Sequence, residues 1–147
     1  FMKVIIHTDG GARGNPGPAA IGYVIEVYQG DRKISVIEKS LFIGHATNNV
    51  AEYTAVREAL SAISPDLIGV SNKEKVSIDC YLDSLLVASQ LSGTYKVKDP
   101  HLKMLFMEVH TQEAMLGGGV AYHAIPREQN KRADALVNKT LDEQGTY

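Results

Sequence analysis

Apolar residues cluster in three short stretches near the start of the chain, and each stretch predicts a β-strand. The second, Ala20 to Tyr28, is rich in the β-branched and aromatic residues that favour strands. A turn signal, Gln29-Gly30-Asp31, separates it from the third. Because turns join the three strands, we expect them to form an antiparallel meander. The predicted strands cover residues 3–9, 20–28 and 33–44.

Further along the chain, the spacing of the apolar residues becomes helical. Residues 50–63 place an apolar face on a helix that follows the N-cap candidates Thr47-Asn48-Asn49 and ends at Ser64-Pro65. Asp99-Pro100 matches an N-cap followed by proline in the first helical position. The pattern predicts helices at 50–63, 84–91, 100–115 and 132–143, and strands at 75–82 and 120–125. The element order βββαβααβα indicates an α/β fold with a mixed sheet flanked by helices.

The composition is typical of one globular domain. The chain has 147 residues, 44% hydrophobic and 22% charged, and is long enough to bury a full core. No apolar run approaches the ~20 residues that span a bilayer, and we expect no secretory signal because the chain does not begin with a basic stretch followed by an apolar one. The single cysteine, Cys80, excludes a disulfide framework and a thiolate zinc site. We expect residues 1–147 to be one domain, a cytoplasmic monomer with no membrane partner, with Phe1 an addition ahead of a natural start at Met2.

The net charge of −2 disfavours a nucleic-acid-binding protein, since such domains are usually basic. Bound divalent cations would change this balance, because they add positive charge at the site itself. A polyanionic partner therefore remains compatible with the sequence if the chain holds metal ions.

Four acidic residues lie at the ends of predicted elements. Asp9 is expected at the end of the first strand, ahead of glycines that let a ligand approach the backbone, although Asp-Gly is also a common hairpin pair. Glu52 is expected in the first turn of a helix, with capping-box spacing from Asn49. Asp83 is a natural N-cap for the helix at 84–91. Asp134 suits the positive end of the last helix dipole. Each acid alone thus has a structural explanation.

Together, the four acids predict a metal site. Open α/β sheets build ligand sites where strands end and helices begin, and all four acids are expected there. Carboxylates gathered in one place raise one another's pKa unless cations neutralise them. Oxygen ligands suit Mg²⁺, or Mn²⁺ as a substitute, and two such ions can clamp the attacking and leaving oxygens of a phosphodiester. Neutral donors for phosphates and base edges come from Thr47, Asn48 and Asn49.

Four segments, in register and in order, resemble the motifs of type 1 ribonuclease H. They are Thr8-Asp9-Gly10-Gly11 with Gly14-Asn15-Pro16-Gly17-Pro18, Thr47 to Glu52, Asp83-Ser84, and Asn130 to Asp134. The resemblance implies a ribonuclease H-like fold, a five-stranded mixed sheet with helices on both faces. It also implies endonucleolytic hydrolysis of the RNA strand of an RNA–DNA hybrid, which leaves 5′-phosphate and 3′-hydroxyl ends.

The resemblance further implies a role for each acid. Asp9 would contact both metal ions. Glu52 and Asp83 would complete the site of the ion near the leaving oxygen, and Asp134 the site of the ion that activates water. The glycine turn and the asparagines would contact the minor groove, where the 2′-hydroxyl distinguishes RNA from DNA, and Thr47 would hold a DNA phosphate. The implied substrate-binding positions are Gly10, Gly11, Asn15, Thr47, Asn48 and Asn49.

Two segments depart from the family pattern. The short loop at 125–130 lacks the histidine that many members place before the last aspartate, and we predict that Arg127 or Glu128 takes part of its role. Residues 92–98 are too few for the large basic protrusion of many bacterial members. Both features resemble the compact archaeal-type branch. A looser grip on the substrate, including cleavage of double-stranded RNA, is then expected.

Other functions stay open on the sequence. A resolvase or integrase would share the fold, but an integrase needs a glutamate about one helix beyond Asp83, where Gly117-Gly118-Gly119 lies. A proofreading exonuclease needs Asp-x-Glu in the first strand, and Gly11 follows Asp9 at that spacing. A catalytically silent hybrid-binding module would not need all four acids.

Overall fold

Five strands form one mixed sheet. The structure is a computed structural model and describes residues 1–64 and 76–145. The strands are β1 (Met2–Ala12), β2 (Gly17–Gln29), β3 (Arg32–Ala46), β4 (Val76–Leu82) and β5 (Val120–Ala124). Their order across the sheet is β3-β2-β1-β4-β5, with β1 to β3 antiparallel and with β4 parallel to both β1 and β5. The predicted meander and mixed sheet are confirmed.

Four α-helices are interspersed among the strands, and the element order βββαβααβα is the predicted one. They are α1 (Asn48–Ser61), α2 (Leu85–Leu91), α3 (Pro100–Met115) and α4 (Lys131–Glu143), with a 3-10 turn at Arg127–Gln129 ahead of α4. Helix α1 stops before the predicted Ile63, and the predicted boundary residues Pro65 and Lys75 lie outside the described residues. None of the helices in the described ranges is both long and apolar enough to cross a lipid bilayer.

The helices cover both faces of the sheet, as predicted. Alternate residues of β1, such as Val4 and Ile6, are fully buried in a core shared with α1, α2 and α3. On the other face, Val137 and Leu141 of α4 pack against Ala20 of β2. Burial of a large aliphatic side chain contributes about 1.5–3 kcal/mol. The sheet is therefore held from both sides.

Strand β1 is longer than predicted and does not end at Asp9. Strand β4 pairs with β1 only as far as His7, whereas β2 pairs with it as far as Ala12. The pairing with β2 keeps the chain extended through the two glycines. Asp9 therefore lies inside a strand, just beyond the point where the parallel neighbour stops pairing.

The acids do not take the capping roles that their local spacing suggests. Thr47 caps α1 with its hydroxyl, so Glu52 lies beyond the first turn and outside any capping box. Ser84 caps α2, and the predicted cap at Asp83 is wrong. Asp99 caps α3, as predicted. In the first two helices a hydroxyl reaches the backbone N–H groups, and the acid is available for another role.

Gly10 brings β1 and α1 very close together. A Cβ added to Gly10 would clash with the carbonyl group of Ala51 and would lie 2.6 Å from the backbone N of Glu52. These neighbours are backbone atoms, which cannot rotate away as a side chain can. The missing side chain of Gly10 therefore allows α1 to place Glu52 beside Asp9.

We expect Gly10→Ala to destabilise the protein by about 3 kcal/mol, because overpacking against fixed backbone forces β1 and α1 apart. Gly11→Ala is the matched control, since its Cβ would meet only Val137 Cγ1 at 3.8 Å, an ordinary contact. Urea unfolding followed by circular dichroism gives both free energies of unfolding. Equal stabilities of the two variants would show that the contact with α1 tolerates a methyl group.

Candidate active site

One cavity of about 520 Å³ gathers the four predicted acids. Its lining includes Asp9 from β1, Glu52 from α1, Asp83 directly after β4, and Asp134 from α4. Because β1, β4 and β5 are parallel, their carboxyl ends lie at one edge of the sheet, and α4 begins nearby. This is the edge at which open α/β sheets place ligands.

Three of the acids are close enough to share one ion. Carboxylate oxygens of Asp9, Glu52 and Asp83 lie within 4.8 Å of one another. Asp9 and Glu52 are 7% and 6% exposed, and Asp83 is partly buried. Asp134 lies outside this tight group but lines the same cavity from the first turn of α4. The arrangement is thus a group of three acids with a fourth at its edge.

One carboxylate oxygen of Glu52 accepts a hydrogen bond, and the other has no hydrogen-bond partner among the described residues. The Oε1 atom accepts a hydrogen bond from the backbone N of Gly10 at 2.6 Å. The Oε2 atom is buried and has no hydrogen-bond partner in the described part of the chain. An ionised oxygen in such a position is costly unless a proton or a cation neutralises it. The residues of the cavity therefore fit a bound cation.

The carboxylates disfavour one another's ionisation. Burial raises the pKa of Asp9 to about 7, and the charges of Asp83 and Asp134 add to the effect. Burial, and then the charge of Asp9, raises the pKa of Glu52. Burial also raises the pKa of Asp83, although the Arg127 guanidinium opposes that shift. A divalent cation would relieve all of these penalties at once, and carboxylate oxygens are the ligands that Mg²⁺ and Mn²⁺ prefer.

The predicted substrate positions are divided between two neighbouring cavities. The acid cavity is also lined by Gly10, Gly11, Asn48 and Asn49. A second cavity, of about 300 Å³, is lined by Asn15, Thr47 and Asn49. Asn48 Oδ1 accepts from Ala12 N at 2.9 Å, and Asn15 Oδ1 accepts from Asn48 N at 2.9 Å. Both bonds use the oxygen of the amide, so they leave its N–H donors for another partner.

The two residues predicted to replace the missing histidine lie in different places. Arg127 Nε is 3.8 Å from Asp83 Oδ2, and this side chain, 81% exposed, lines the acid cavity. Glu128 lines a separate cavity of about 160 Å³. His123 lies within β5, as predicted, with its Nε2 2.7 Å from Asp79 Oδ1. Of the two candidates, Arg127 is the one placed to act at the acids.

Asn130 joins two acid-bearing elements, a role that its spacing in the sequence does not indicate. It is 1% exposed, and its Nδ2 donates to the carbonyl of Thr8 at 2.8 Å. The backbone carbonyl of Asn130 accepts a hydrogen bond from Asp134 N at 3.1 Å. An asparagine before a helix suggests an N-cap, but this side chain makes no capping bond. Asn138 also contacts Asp134, and here the i, i+4 spacing on a helix is a usable signal.

The fold and the cavity define a class of protein: a mixed α/β sheet with a carboxylate site, suited to divalent cations, where parallel strands end. Comparison with known families places the chain within that class. A family model described as RNase H matches residues 2–142, and the chain belongs to the RNase H family.

Individual relatives extend the comparison. The chain is 40% identical over 142 residues to a ribonuclease HI of Halobacterium salinarum, covering 96% of this chain and 65% of the relative. It is 38% identical over 141 residues to a bifunctional protein of Mycobacterium tuberculosis, covering 96% of this chain and 36% of that protein. The chain thus spans about a third of the mycobacterial relative. The solved structure of LC11-RNase H1 in complex with an RNA/DNA hybrid is similar, with a TM-score of 0.81, 41% identity, and coverage of 97% of this chain and 99% of that one.

We expect the metal-free protein to lose stability as the pH rises between 3.8, the ordinary pKa of Asp9, and about 7, its pKa in the folded protein. In that window the folded state keeps a proton that the unfolded chain has released, so unfolding becomes more favourable with rising pH. Asp9→Asn removes the free-energy cost of ionising a buried carboxyl group in the folded state. It should raise the midpoint of thermal unfolding at pH 8, without metal, by roughly 5 °C.

The same comparison at pH 4 provides the internal check, because pH 4 is barely above the ordinary Asp9 pKa of 3.8, so little of the free-energy penalty has built up there. The difference between Asp9→Asn and the unmodified protein should almost vanish. Asp31→Asn, at an exposed position between β2 and β3, controls for the loss of one acid. A difference of equal size at both pH values would contradict the electrostatic explanation.

Proposed function

We propose that this protein is an endoribonuclease that hydrolyses the RNA strand of RNA–DNA hybrids. The observation that carries the proposal is the orphaned Glu52 oxygen in a cavity where Asp9, Glu52 and Asp83 converge, because a cation can neutralise all three carboxylates there at once. Membership of the RNase H family supports the reaction class. The likeness to LC11-RNase H1, which was solved with an RNA/DNA hybrid, supports the substrate class.

The acids would hold two Mg²⁺ ions, or Mn²⁺ as a substitute. In this assignment Asp9 would contact both ions. Glu52 and Asp83 would complete one site, and Asp134 the other. When bound, such ions lower the pKa of water and stabilise charge on the oxygens of the reacting phosphate.

Residues beside the acids would bind the RNA strand. Asn48 lines the acid cavity, and its amide N–H groups, which the bond to Ala12 does not use, can donate to acceptors in the minor groove. Gly10 and Gly11 line the same cavity, and the missing side chain of Gly11 lets the backbone of β1 approach the substrate. Glu52 can accept a hydrogen bond from a 2′-hydroxyl, the group that separates RNA from DNA.

The DNA strand would lie along the second cavity. Thr47 Oγ1 accepts from Val50 N at 3.2 Å, which leaves its hydroxyl proton to donate to a phosphate. Asn15 lines the same cavity and supplies amide N–H donors. Neutral donors of this kind fix the register of a duplex without reading its sequence.

Hydrolysis adds water across one phosphodiester of the RNA strand. The water oxygen bonds to phosphorus while the bond from phosphorus to the 3′ oxygen breaks. One proton of the water ends on that 3′ oxygen, and the other is released to solvent. The products therefore carry a 5′-phosphate and a 3′-hydroxyl.

Finer features complete the proposal. Residues 1–147 form one ribonuclease H domain that acts as a monomer. The proposed location is the cytoplasm, where a lone buried cysteine such as Cys80 remains a thiol. The short segment at 92–98 supports the compact archaeal-type branch and access for double-stranded RNA as a second substrate.

Labelled hybrid should be cleaved in Mg²⁺ and left intact in a chelator. Asp83→Asn should lower turnover by about a thousandfold while hybrid binding persists, because the variant keeps the shape of the site and loses one ligand charge. Resolved cleavage products measure turnover, and fluorescence anisotropy measures binding. Asp31→Asn is the control for loss of a remote acid.

Tight binding of the hybrid without cleavage in Mg²⁺ would identify a hybrid-binding module instead of an enzyme. Cleavage in the chelator, or normal turnover of Asp83→Asn, would contradict the metal assignment. The same assay on double-stranded RNA tests the second substrate.

Arg127→Ala should lower steady-state turnover by about tenfold, because the guanidinium lies 3.8 Å from Asp83 and can help to release the product phosphate. A role in release predicts that the single-turnover rate stays unchanged. Arg32→Ala removes the same charge at the opposite end of the sheet and is the control. Unchanged steady-state turnover of Arg127→Ala would reject the role.

A further inference from the structure

Four side chains form a hydrogen-bonded series that ends on Asp134. Arg13 Nη1 donates to Asp142 Oδ1 at 2.7 Å, and Arg13 Nη2 donates to Asn138 Oδ1 at 3.2 Å. Asn138 Nδ2 donates in turn to Asp134 Oδ2 at 3.3 Å. Arg13, Asn138 and Asp134 all line the acid cavity. The series thus connects the turn after β1 with one carboxylate of the candidate active site.

Arg13 decides which end of the Asn138 amide faces Asp134. A guanidinium only donates hydrogen bonds, so it selects the oxygen of that amide. The N–H donors of the amide are then turned toward Asp134, whose ionised carboxylate only accepts. Without Arg13, the amide is free to turn its oxygen toward the carboxylate, and the two acceptors would repel each other.

Asp134 needs such a donor because its carboxylate also faces that of Asp9, and the two repel each other when both are ionised. Asp134 lies outside the tight group of three carboxylates. Glu52 accepts a hydrogen bond from a backbone N–H of β1, whereas the backbone bond of Asp134 to Asn130 fixes its main chain and does not involve its carboxylate. The bond from Asn138 engages one carboxylate oxygen and so orients the whole group.

We propose that Asn138 and Arg13 are positioning residues that orient the Asp134 carboxylate toward its metal ion. The inference rests on the proposed function for the identity of the ion. A direct contact of Arg13 with a substrate phosphate is the competing role. The structure favours positioning, because the guanidinium is already engaged by Asp142 and Asn138 and is only 25% exposed.

Asn138→Ala removes the donor to Asp134. The variant should fold, since Asn138 is exposed and alanine is the better helix former. The affinity of the metal-free protein for Mg²⁺, measured by titration calorimetry, should fall about tenfold, as for other partners of metal ligands. The kcat on hybrid should fall with it, while KM for the hybrid stays unchanged. Lys139→Ala, an exposed neighbour on α4 that is not part of the lining of the acid cavity, is the control.

Arg13→Lys and Arg13→Ala separate positioning from substrate binding. A lysine keeps the charge, but its single ammonium cannot hold Asp142 and Asn138 in the planar geometry of a guanidinium. Both variants should therefore lose Mg²⁺ affinity to the same extent, with KM unchanged. Normal Mg²⁺ affinity together with a raised KM in Arg13→Ala that lysine restores would assign Arg13 to the substrate and overturn its positioning role.

The calorimetry keeps this inference distinct from the proposed function. If the unmodified protein binds Mg²⁺ but does not cleave hybrid, the proposed function fails, and the affinities of the variants still decide the role of Asn138. Mg²⁺ affinity that is unchanged in Asn138→Ala, or absent from the unmodified protein, overturns the inference.

Discussion

Repulsion between carboxylates that share one cavity is the constraint on which this structure depends. Asp9 and Glu52 are buried together, and burial raises the pKa of both before the charges of their neighbours add to it. The fold thus holds the acids in a state that favours protons or cations. It can do so because the stabilising cores lie elsewhere, under α1 to α3 on one face of the sheet and under α4 on the other.

Contacts with the backbone of β1 hold the acid-bearing elements together. Gly10 lets α1 touch β1, and its N–H donates to Glu52. Asn130 ties the start of α4 to the carbonyl of Thr8. Both contacts involve a residue adjacent to Asp9, so the strand that carries this acid also sets the positions of α1 and α4. Ligand groups held by contacts with one strand are fixed relative to one another before a cation binds, which is the condition for precise ligand geometry.

The order of elements could be predicted because apolar spacing is a local property of the sequence, and the placement of acids near strand ends and helix starts followed from that order. The local roles of Glu52 and Asp83 could not be predicted. Their spacing in the sequence suits helix capping, but the hydroxyls of Thr47 and Ser84 cap these helices instead. The length of β1 was missed because pairing with β2, rather than the glycine content, decides where it ends. The contact of Arg13 with Asn138 joins residues 125 positions apart, a distance at which no local pattern operates.

A net charge of −2 is consistent with a polyanionic substrate because the negative charge and the groups that would bind a duplex occupy different positions. The acids concentrate negative charge in one cavity, and in the proposed complex the cations offset it there. The groups around them, such as the amides of Asn15 and Asn48, are neutral donors that can bind acceptors of a duplex. Phosphate is then attracted where the ions lie. The same ions would serve binding and chemistry, so the short segment at 92–98 need not supply an extended basic surface.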